Sequence, residues 1–452
     1  MTSTDRMSPL DSAFLHIEDA HAALHIASVA LFDGPAPTLA ELQTAVARKL
    51  PLVPRYRQRV RGVPFELGRP VWVDDPDFRI DAHVRRRTLP EPGGRAELHV
   101  VVDRIMSQRL DRRHPLWGAW LVDGLSDGRW VLVTKVHHSL ADGIAGTDLL
   151  STVLDSRPDG DPVPDDTWVA GPQPSALRLT SDAILDRASV RLHEMRSLGR
   201  AAAHPRELPA LGWRLVHGMA GFATALRPVT ASSLRGSIGS DRRHLWTDVA
   251  LADVLAIRER LGGTVNDVVL AAVSHGFRDL LLARGETPGR HTVRTLVPVS
   301  VRRADGQGHT DNRVSAILAD LPVEVVDPVT RLREVTDRMR HLKRSGEADT
   351  GEAVTELADV LPPSVLAAGL HLAFRVPQRM LTTVVTNVPG PGGTLYCCGR
   401  RMLATYPYVP IADRLRIGVA VTSYDGRLFF GVTGDAATAT DLEALVDGIE
   451  LG

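Results

Sequence analysis

The mostly apolar run HIASVALFDG (25–34), ended by Asp and Gly, is strand-like, whereas TLAELQTAVARKL (38–50) repeats its apolar residues at helical spacing, with Thr38 placed as a cap. WGAWLVDGLSDGRWVLVTKV (117–136) predicts two strands around a Gly and Asp turn, and IAGTDLLSTVLD (144–155) returns to helical spacing. The segment VHHSLADG (136–143) therefore sits where a strand ends, with Asp142 and Gly143 at the start of a helix. Residues 157–174, dense in Pro, Gly and Asp, have the composition of a connector, and 175–235 reads as mostly helical. LADVLAIRERLGGTVNDVVLAAVSHGFRDLLLARG (251–285) predicts two helices separated by Gly262, Gly263 and Thr264. Strand patterns follow at HTVRTLVPVSV, RVSAILADLPV, MLTTVVTNVPG, LRIGVAVTSY and RLFFGVTG. Strands and helices mix in both halves without strict alternation, which predicts an α/β or α+β chain rather than a barrel. The expected domains are 1–174 and 236–452, joined by a helical crossover at 175–235.

Composition narrows the partners. The 452 residues hold 53 Lys plus Arg against 54 Asp plus Glu, so no overall basic field exists to hold nucleic acid. With 44% hydrophobic and 24% charged residues, the chain has the balance of a globular protein. Cys397 and Cys398 are adjacent, a poor geometry for a structural disulfide, which fits a reducing cytoplasm. The opening MTSTDRMSPLDSAF lacks the pattern of a signal peptide, and no run reaches about 18 uninterrupted apolar residues. Trp213, Leu215, Met219, Phe222 and Leu226, flanked by Arg214 and Arg227, suit a lipid interface as well as a packed core.

The candidate chemistry lies in HHSLADG. Taking a proton from a hydroxyl at neutral pH is a task for histidine, which makes His137 and His138 the candidates. As neighbours at a strand end they should point to opposite faces, so they are badly placed to chelate one metal, and one can face a cleft while the other packs. Asp142 either orients an imidazole or holds the loop through an arginine, and Gly143 permits close backbone approach. Read by itself, the segment is equally compatible with a pair of structural histidines near a turn.

HHSLADG resembles the H-H-x-x-x-D-G signature of the acyl-CoA-dependent acyltransferase superfamily. Within it the chain is similar to the bacterial wax ester synthase/acyl-CoA:diacylglycerol acyltransferase family. The likeness runs in order through MSPLDSAFLHIEDA, PRYRQRV, HPLW, HHSLADG, TVNDVVLA, PVSVR, TNVPGP and SYDGRLFFGV. It implies two chloramphenicol-acetyltransferase-like domains with an active-site channel between them, and His138 as the base, with His137, Asp142 and Gly143 supporting it. It also implies that Pro115, Leu116, Trp117, Asn266 and Asp267 shape the substrate channel. Arg235 in SSLRGSIG and the stretch YPYVPIADRLRIG depart from the family pattern and put local substrate contacts in doubt. The implied reaction is esterification of diacylglycerol or a long-chain alcohol by fatty acyl-CoA, with Asn266 a candidate oxyanion donor. No cofactor and no metal are implied, since acyl-CoA is a substrate. Alternatives are a same-fold acyltransferase with a specialised acceptor or carrier-bound donor, and a noncatalytic lipid- or carrier-binding module. Peripheral association with a membrane or lipid droplet follows from substrate solubility.

Other motifs carry bland readings beside these. PLW is an apolar strand start as well as a candidate channel wall, and Asn266 and Asp267 stand where helix caps stand. Asn387 reads as a turn residue, and Gly390, Gly392 and Gly393 form no dinucleotide fingerprint because Pro391 interrupts them. Cys397 reads as a small hydrophobe, and His83, His99 and His114 lack metal-ligand spacing. Arg85, Arg86 and Arg87 form a solvated face or a patch for CoA phosphates or anionic lipid.

Overall fold

The computed structural model describes residues 5–141, 153–186, 188, 229–230, 232–304, 310–344, 381–412 and 414–452. In chain order the elements begin with α1 (Pro9–Ile17), β1 (His25–Phe32), α2 (Leu39–Lys49), β2 (Gln58–Arg61), β3 (Val71–Asp74) and the single turn α3 (Ile80–His83). Next come β4 (Val84–Thr88), α4 (Arg95–Ser107), β5 (Trp117–Asp123), β6 (Trp130–His137) and α5 (His138–Ala141). After the connector follow β7 (Arg242–Ala250), α6 (Leu251–Leu261), α7 (Val265–Ala283), β8 (Arg294–Ala304), β9 (Thr310–Asp320) and α8 (Pro328–Arg344). The chain closes with β10 (Thr383–Val388), β11 (Tyr396–Cys397), β12 (Arg400–Tyr408), β13 (Ile417–Tyr424), β14 (Arg427–Asp435) and α9 (Leu442–Leu451).

Most expected elements fall on these. α2 starts as predicted: the Thr38 hydroxyl accepts the Glu41 N–H at 3.2 Å while the Glu41 carboxylate accepts the Thr38 N–H at 2.7 Å. Residues 157–174 carry no regular element, as their composition requires. Residues 144–152 of the helix expected over 144–155 and most of the crossover, including the apolar face of 213–227, lie outside the described residues; Asp155 pairs with Tyr396 in an antiparallel bridge instead of extending that helix, and 176–186 are helical.

The chain packs as two compact units, and neither is one contiguous stretch. The first comprises Met1–Ala183, Ser237–Asp253 and Val388–Leu442; the second comprises Ile184–Gly236, Val254–Asn387 and Glu443–Gly452. This differs from the expected division at 1–174 and 236–452, because strands pair by register rather than by position in the chain. β12 pairs antiparallel with β1, giving the first unit a sheet in the order β11-β12-β1-β6-β5-β4.

That sheet is covered on both faces. Phe32, Trp130, Leu132, Val136 and Leu121 join Leu42 and Val46 of α2 in one cluster, while Val29, Val131, Val133, Trp120 and Val122 join Leu98, Val102 and Met106 of α4 in another. All eight residues of β6 are buried as a result. The same unit contains the antiparallel set β7-β14-β13, and its two sheets approach so closely that a Cβ on Gly431 would lie 1.7 Å from the Pro407 carbonyl oxygen. The second unit contains β8 paired antiparallel with β9 and parallel with β10, beside the buried helix α7.

Candidate active site

β6 delivers the histidine pair, and its register fixes which way each ring faces. His25 of β1 lies directly opposite His137, and the His137 N–H donates to the Leu116 carbonyl at 2.9 Å, just ahead of β5. His137 shares its face of β6 with Val133 and Lys135, the face covered by α4. There Lys135 Nζ donates to the Ile105 carbonyl at 2.7 Å and to that of Gln108, while His25 Nε2 lies 2.9 Å from the Met106 carbonyl. Strand side chains thus satisfy carbonyls that the end of α4 leaves open. Burial lowers the Lys135 pKa to about 7, with the positive charge of Arg85 adding to the effect.

The two histidines differ in kind. His137 is 1% exposed; its Nδ1 accepts the Ser139 backbone N–H at 3.1 Å and lies 2.7 Å from the Ser139 hydroxyl. With Nδ1 accepting, the ring proton belongs on Nε2, which faces Glu18 Oε1 at 3.7 Å. Burial brings the His137 pKa down to about 4 against the pull of Glu18, so the ring is neutral at neutral pH. Glu18 is itself buried, which opposes ionisation. The Arg112 hydrogen bond, His137 and Arg109 outweigh burial and hold the carboxyl below its ordinary range. His138, by contrast, opens α5 and remains partly exposed. Its N–H donates to the Leu24 carbonyl at 2.9 Å, and its ring tilts against Phe14 of α1 with centroids 4.1 Å apart. The strand end thus carries a buried, neutral imidazole beside a partly exposed one. Asp142 and Gly143 lie outside the described residues.

The PLW segment is core. Leu116 is fully buried, and Trp117, 3% exposed, donates its indole N–H to the Tyr56 carbonyl at 2.8 Å and stacks on His83. Pro115 and Trp117 also border a cavity of about 100 Å³. In the second unit the N-cap itself is Thr264; of the two residues read as caps, Asp267 takes part as the reciprocal member of the capping box and Asn266 does not. The Asp267 carboxylate accepts the Thr264 N–H at 2.8 Å, and the Thr264 hydroxyl accepts the Asp267 N–H at 3.2 Å. Asn266 is left to accept a hydrogen bond from Asn387 Nδ2 at 3.2 Å. Asn387 accordingly lies in β10 rather than in a turn, because the pleat of β10 aims it at the start of α7. Gly390 serves close approach: a Cβ there would meet the Ser423 carbonyl oxygen at 1.9 Å.

Arg85, Arg86 and Arg87 are exposed on the edge strand β4, with Arg86 paired to Asp123 and Arg85 bonded to the Ala82 carbonyl. Both cysteines are free thiols, and the Cys398 contact together with burial pushes the Cys397 thiol upward, away from nucleophilic use. Among the described residues no group of three His, Cys, Asp or Glu side chains is disposed to hold a metal. Sequence reasoning passed over Glu18, Phe14, Arg109, Arg112, His25 and Lys135. Phe14 and Glu18 fall within MSPLDSAFLHIEDA, but no spacing rule ties a residue in α1 or the turn after it to a strand end so distant in the chain.

The catalytic-domain model of wax ester synthase/diacylglycerol acyltransferases matches residues 7–269, and the C-terminal domain model of the same group matches residues 310–451. The chain belongs to the wax ester synthase/diacylglycerol acyltransferase family. A probable diacylglycerol O-acyltransferase of Mycobacterium tuberculosis (strain H37Rv) is 38% identical over 448 residues, 99% of this chain and 94% of that protein. A second, putative diacylglycerol O-acyltransferase of the same strain is 33% identical over 454 residues, covering 99% and 90%. The wax ester synthase/diacylglycerol acyltransferase structure from Marinobacter aquaeolei VT8 superposes with a TM-score of 0.67 at 26% identity, covering 99% of this chain and 97% of that one. The first condensation domain of the CDA synthetase shares the fold, with a TM-score of 0.57 at 17% identity over 99% and 95% of the two chains. The family resemblance and the mixed α/β architecture expected from the sequence both hold. The family's catalytic-domain match takes in the histidine pair, PLW and the Asn266–Asp267 segment.

Proposed function

We propose that this family member is an acyl-CoA-dependent O-acyltransferase that esterifies diacylglycerol or a long-chain alcohol, with the His138 imidazole as general base. The observation that supports the assignment is the contrast within the pair: His137 is locked and neutral in the core, while His138 is partly exposed. In the reaction His138 takes the acceptor hydroxyl proton as the oxygen attacks the thioester carbonyl carbon. The tetrahedral intermediate collapses with C–S cleavage, and the proton passes to the departing CoA thiolate, leaving ester and free CoA. An amide of the Asn266–Asn387 pair is our candidate to donate to the oxyanion, and Asp142 and Gly143 our candidates to shape the loop after the base. Because the acceptors are water-insoluble, we assign the protein to the surface of a membrane or lipid droplet; among the described residues no helix is long and apolar enough to cross a membrane.

The test is free CoA released from palmitoyl-CoA with diacylglycerol or hexadecanol. His138→Ala should lower turnover by about 10²–10⁴-fold with an unchanged circular dichroism spectrum. Substantial activity in a folded His138→Ala protein would refute the base. An inactive wild type on both acceptors would move the reading to a specialised acceptor or carrier-bound donor.

A further inference from the structure

Four arginines surround a recess of about 470 Å³ on the first unit: Arg59 and Arg61 from β2, and Arg112 and Arg113 from the loop before β5, with Gln173 of the connector completing the wall. No carboxylate belongs to this lining. Arg59 and Arg61 are two residues apart on a strand paired to β3, so both project from one face of a braced backbone.

Three of the guanidiniums, those of Arg59, Arg112 and Arg113, are held yet keep donors to spare. Arg112 spends Nε and Nη2 on Glu18 and the Leu15 carbonyl, and Arg113 spends Nε and Nη2 on Asp111. Arg59 uses only Nη1, towards the Arg113 carbonyl at 3.4 Å and Asp75 at 3.7 Å. Arg61 has no ion-pair partner among the described residues. Gln173 donates its amide N–H to the Asp74 carbonyl at 2.6 Å, while its Oε1, though buried, accepts no hydrogen bond among the described residues. Preorganised guanidinium donors suit phosphate oxygens, and an open amide acceptor suits a hydroxyl or exocyclic amine on the same ligand. The recess is also wired to the histidine pair, since Arg112 and His137 hold the two oxygens of the same Glu18 carboxylate.

We propose that this recess binds the phosphorylated nucleotide end of the acyl-CoA donor, with Arg59, Arg61 and Arg113 on the phosphates and Gln173 Oε1 on a sugar hydroxyl or base amine. The inference rests on the acyl-CoA reading above. It assigns phosphate binding to arginines of the PRYRQRV and HPLW neighbourhoods rather than to the Arg85–Arg87 run.

The test compares wild type with the double variant Arg61→Gln/Arg113→Gln, which spares Arg112 and its hold on Glu18. With palmitoyl-CoA, KM should rise roughly ten-fold or more while kcat stays within about two-fold, since each lost charge-assisted contact is worth on the order of a factor of ten. With S-palmitoyl-pantetheine, which lacks the nucleotide, KM should be the same for both proteins. Adenosine 3′,5′-bisphosphate should bind wild type by calorimetry, more weakly at high salt, and bind the variant at least about ten-fold more weakly. Equal KM values for palmitoyl-CoA, or equal bisphosphate affinities, overturn the proposal. So does a defect confined to co-sedimentation with phosphatidylglycerol vesicles, which would make the phosphate a lipid headgroup. Bisphosphate binding that depends on Arg61 and Arg113 in an enzyme inert towards both thioesters would keep the recess and discard the acyl-CoA reading.

Discussion

Glu18 is the residue on which the neighbourhood of the histidine pair converges. Its side chain is 1% exposed and receives Arg109, Arg112 and the Nε2 face of His137. Removing one partner of a buried ionic group leaves the others uncompensated, typically at about 3–5 kcal/mol when the site is dry. Here both guanidiniums are 41% exposed, so solvent screens part of that loss. Glu18→Ala should therefore destabilise the protein by about 2–3 kcal/mol, read as a lower urea midpoint, and Glu18→Gln by less. A midpoint equal to wild type would show that the carboxylate is dispensable to the strand end. Ser139→Ala should cost about 1 kcal/mol, because His137 Nδ1 keeps the backbone N–H and loses only the hydroxyl.

At the scale of elements, the start of α7 and the crowding of β14 give the sharpest expectations. Thr264→Ala removes the hydroxyl half of the capping box and should cost about 1 kcal/mol in chemical denaturation. Because Asn266 sits in the first turn of that helix, the same variant should also lower turnover if the Asn266–Asn387 amides serve the oxyanion. Gly431→Ala is a harsher change: the new methyl would stand 1.7 Å from the Pro407 carbonyl oxygen, backbone that moves only with its strand. Overpacking of this kind costs about 1–3 kcal/mol or more, so a variant with a wild-type melting temperature would contradict the close approach of the two sheets.

For the whole molecule, the buried histidines set the response to acid. Burial lowers the pKa of His83 to about 4, His137 to about 4 and His244 to about 3, all from an ordinary 6.5. Below pH 6.5 the unfolded chain takes up protons that the folded chain refuses, so this stability is complete above pH 6.5 and is lost as pH falls towards 4 and below. Asp103 works the other way: burial raises its pKa to about 7, so the folded state holds that proton first. Burial also pulls His25 well below its ordinary value, so four histidines against one aspartate leave a net loss, and the melting temperature should fall steadily from pH 6.5 to 4.5. A flat or rising profile would sink this account.

The local elements and the place of the histidine pair were legible in the order of residues alone. The two apolar runs around the Gly and Asp turn in 117–136 and the Thr38 cap are short-range effects, set by local side-chain pattern and by hydrogen bonds over three or four residues. The family, too, was legible in an ordered set of motifs. That β12 lies beside β1, that Asn387 meets Asn266, and that Glu18 stands between Arg112 and His137 are matters of long-range packing. These are contacts between residues far apart in the chain, fixed by strand register and by which buried polar groups find partners. No window of neighbouring residues contains that information, and burial itself, which separates neutral His137 from partly exposed His138, exists only once the sheet is covered.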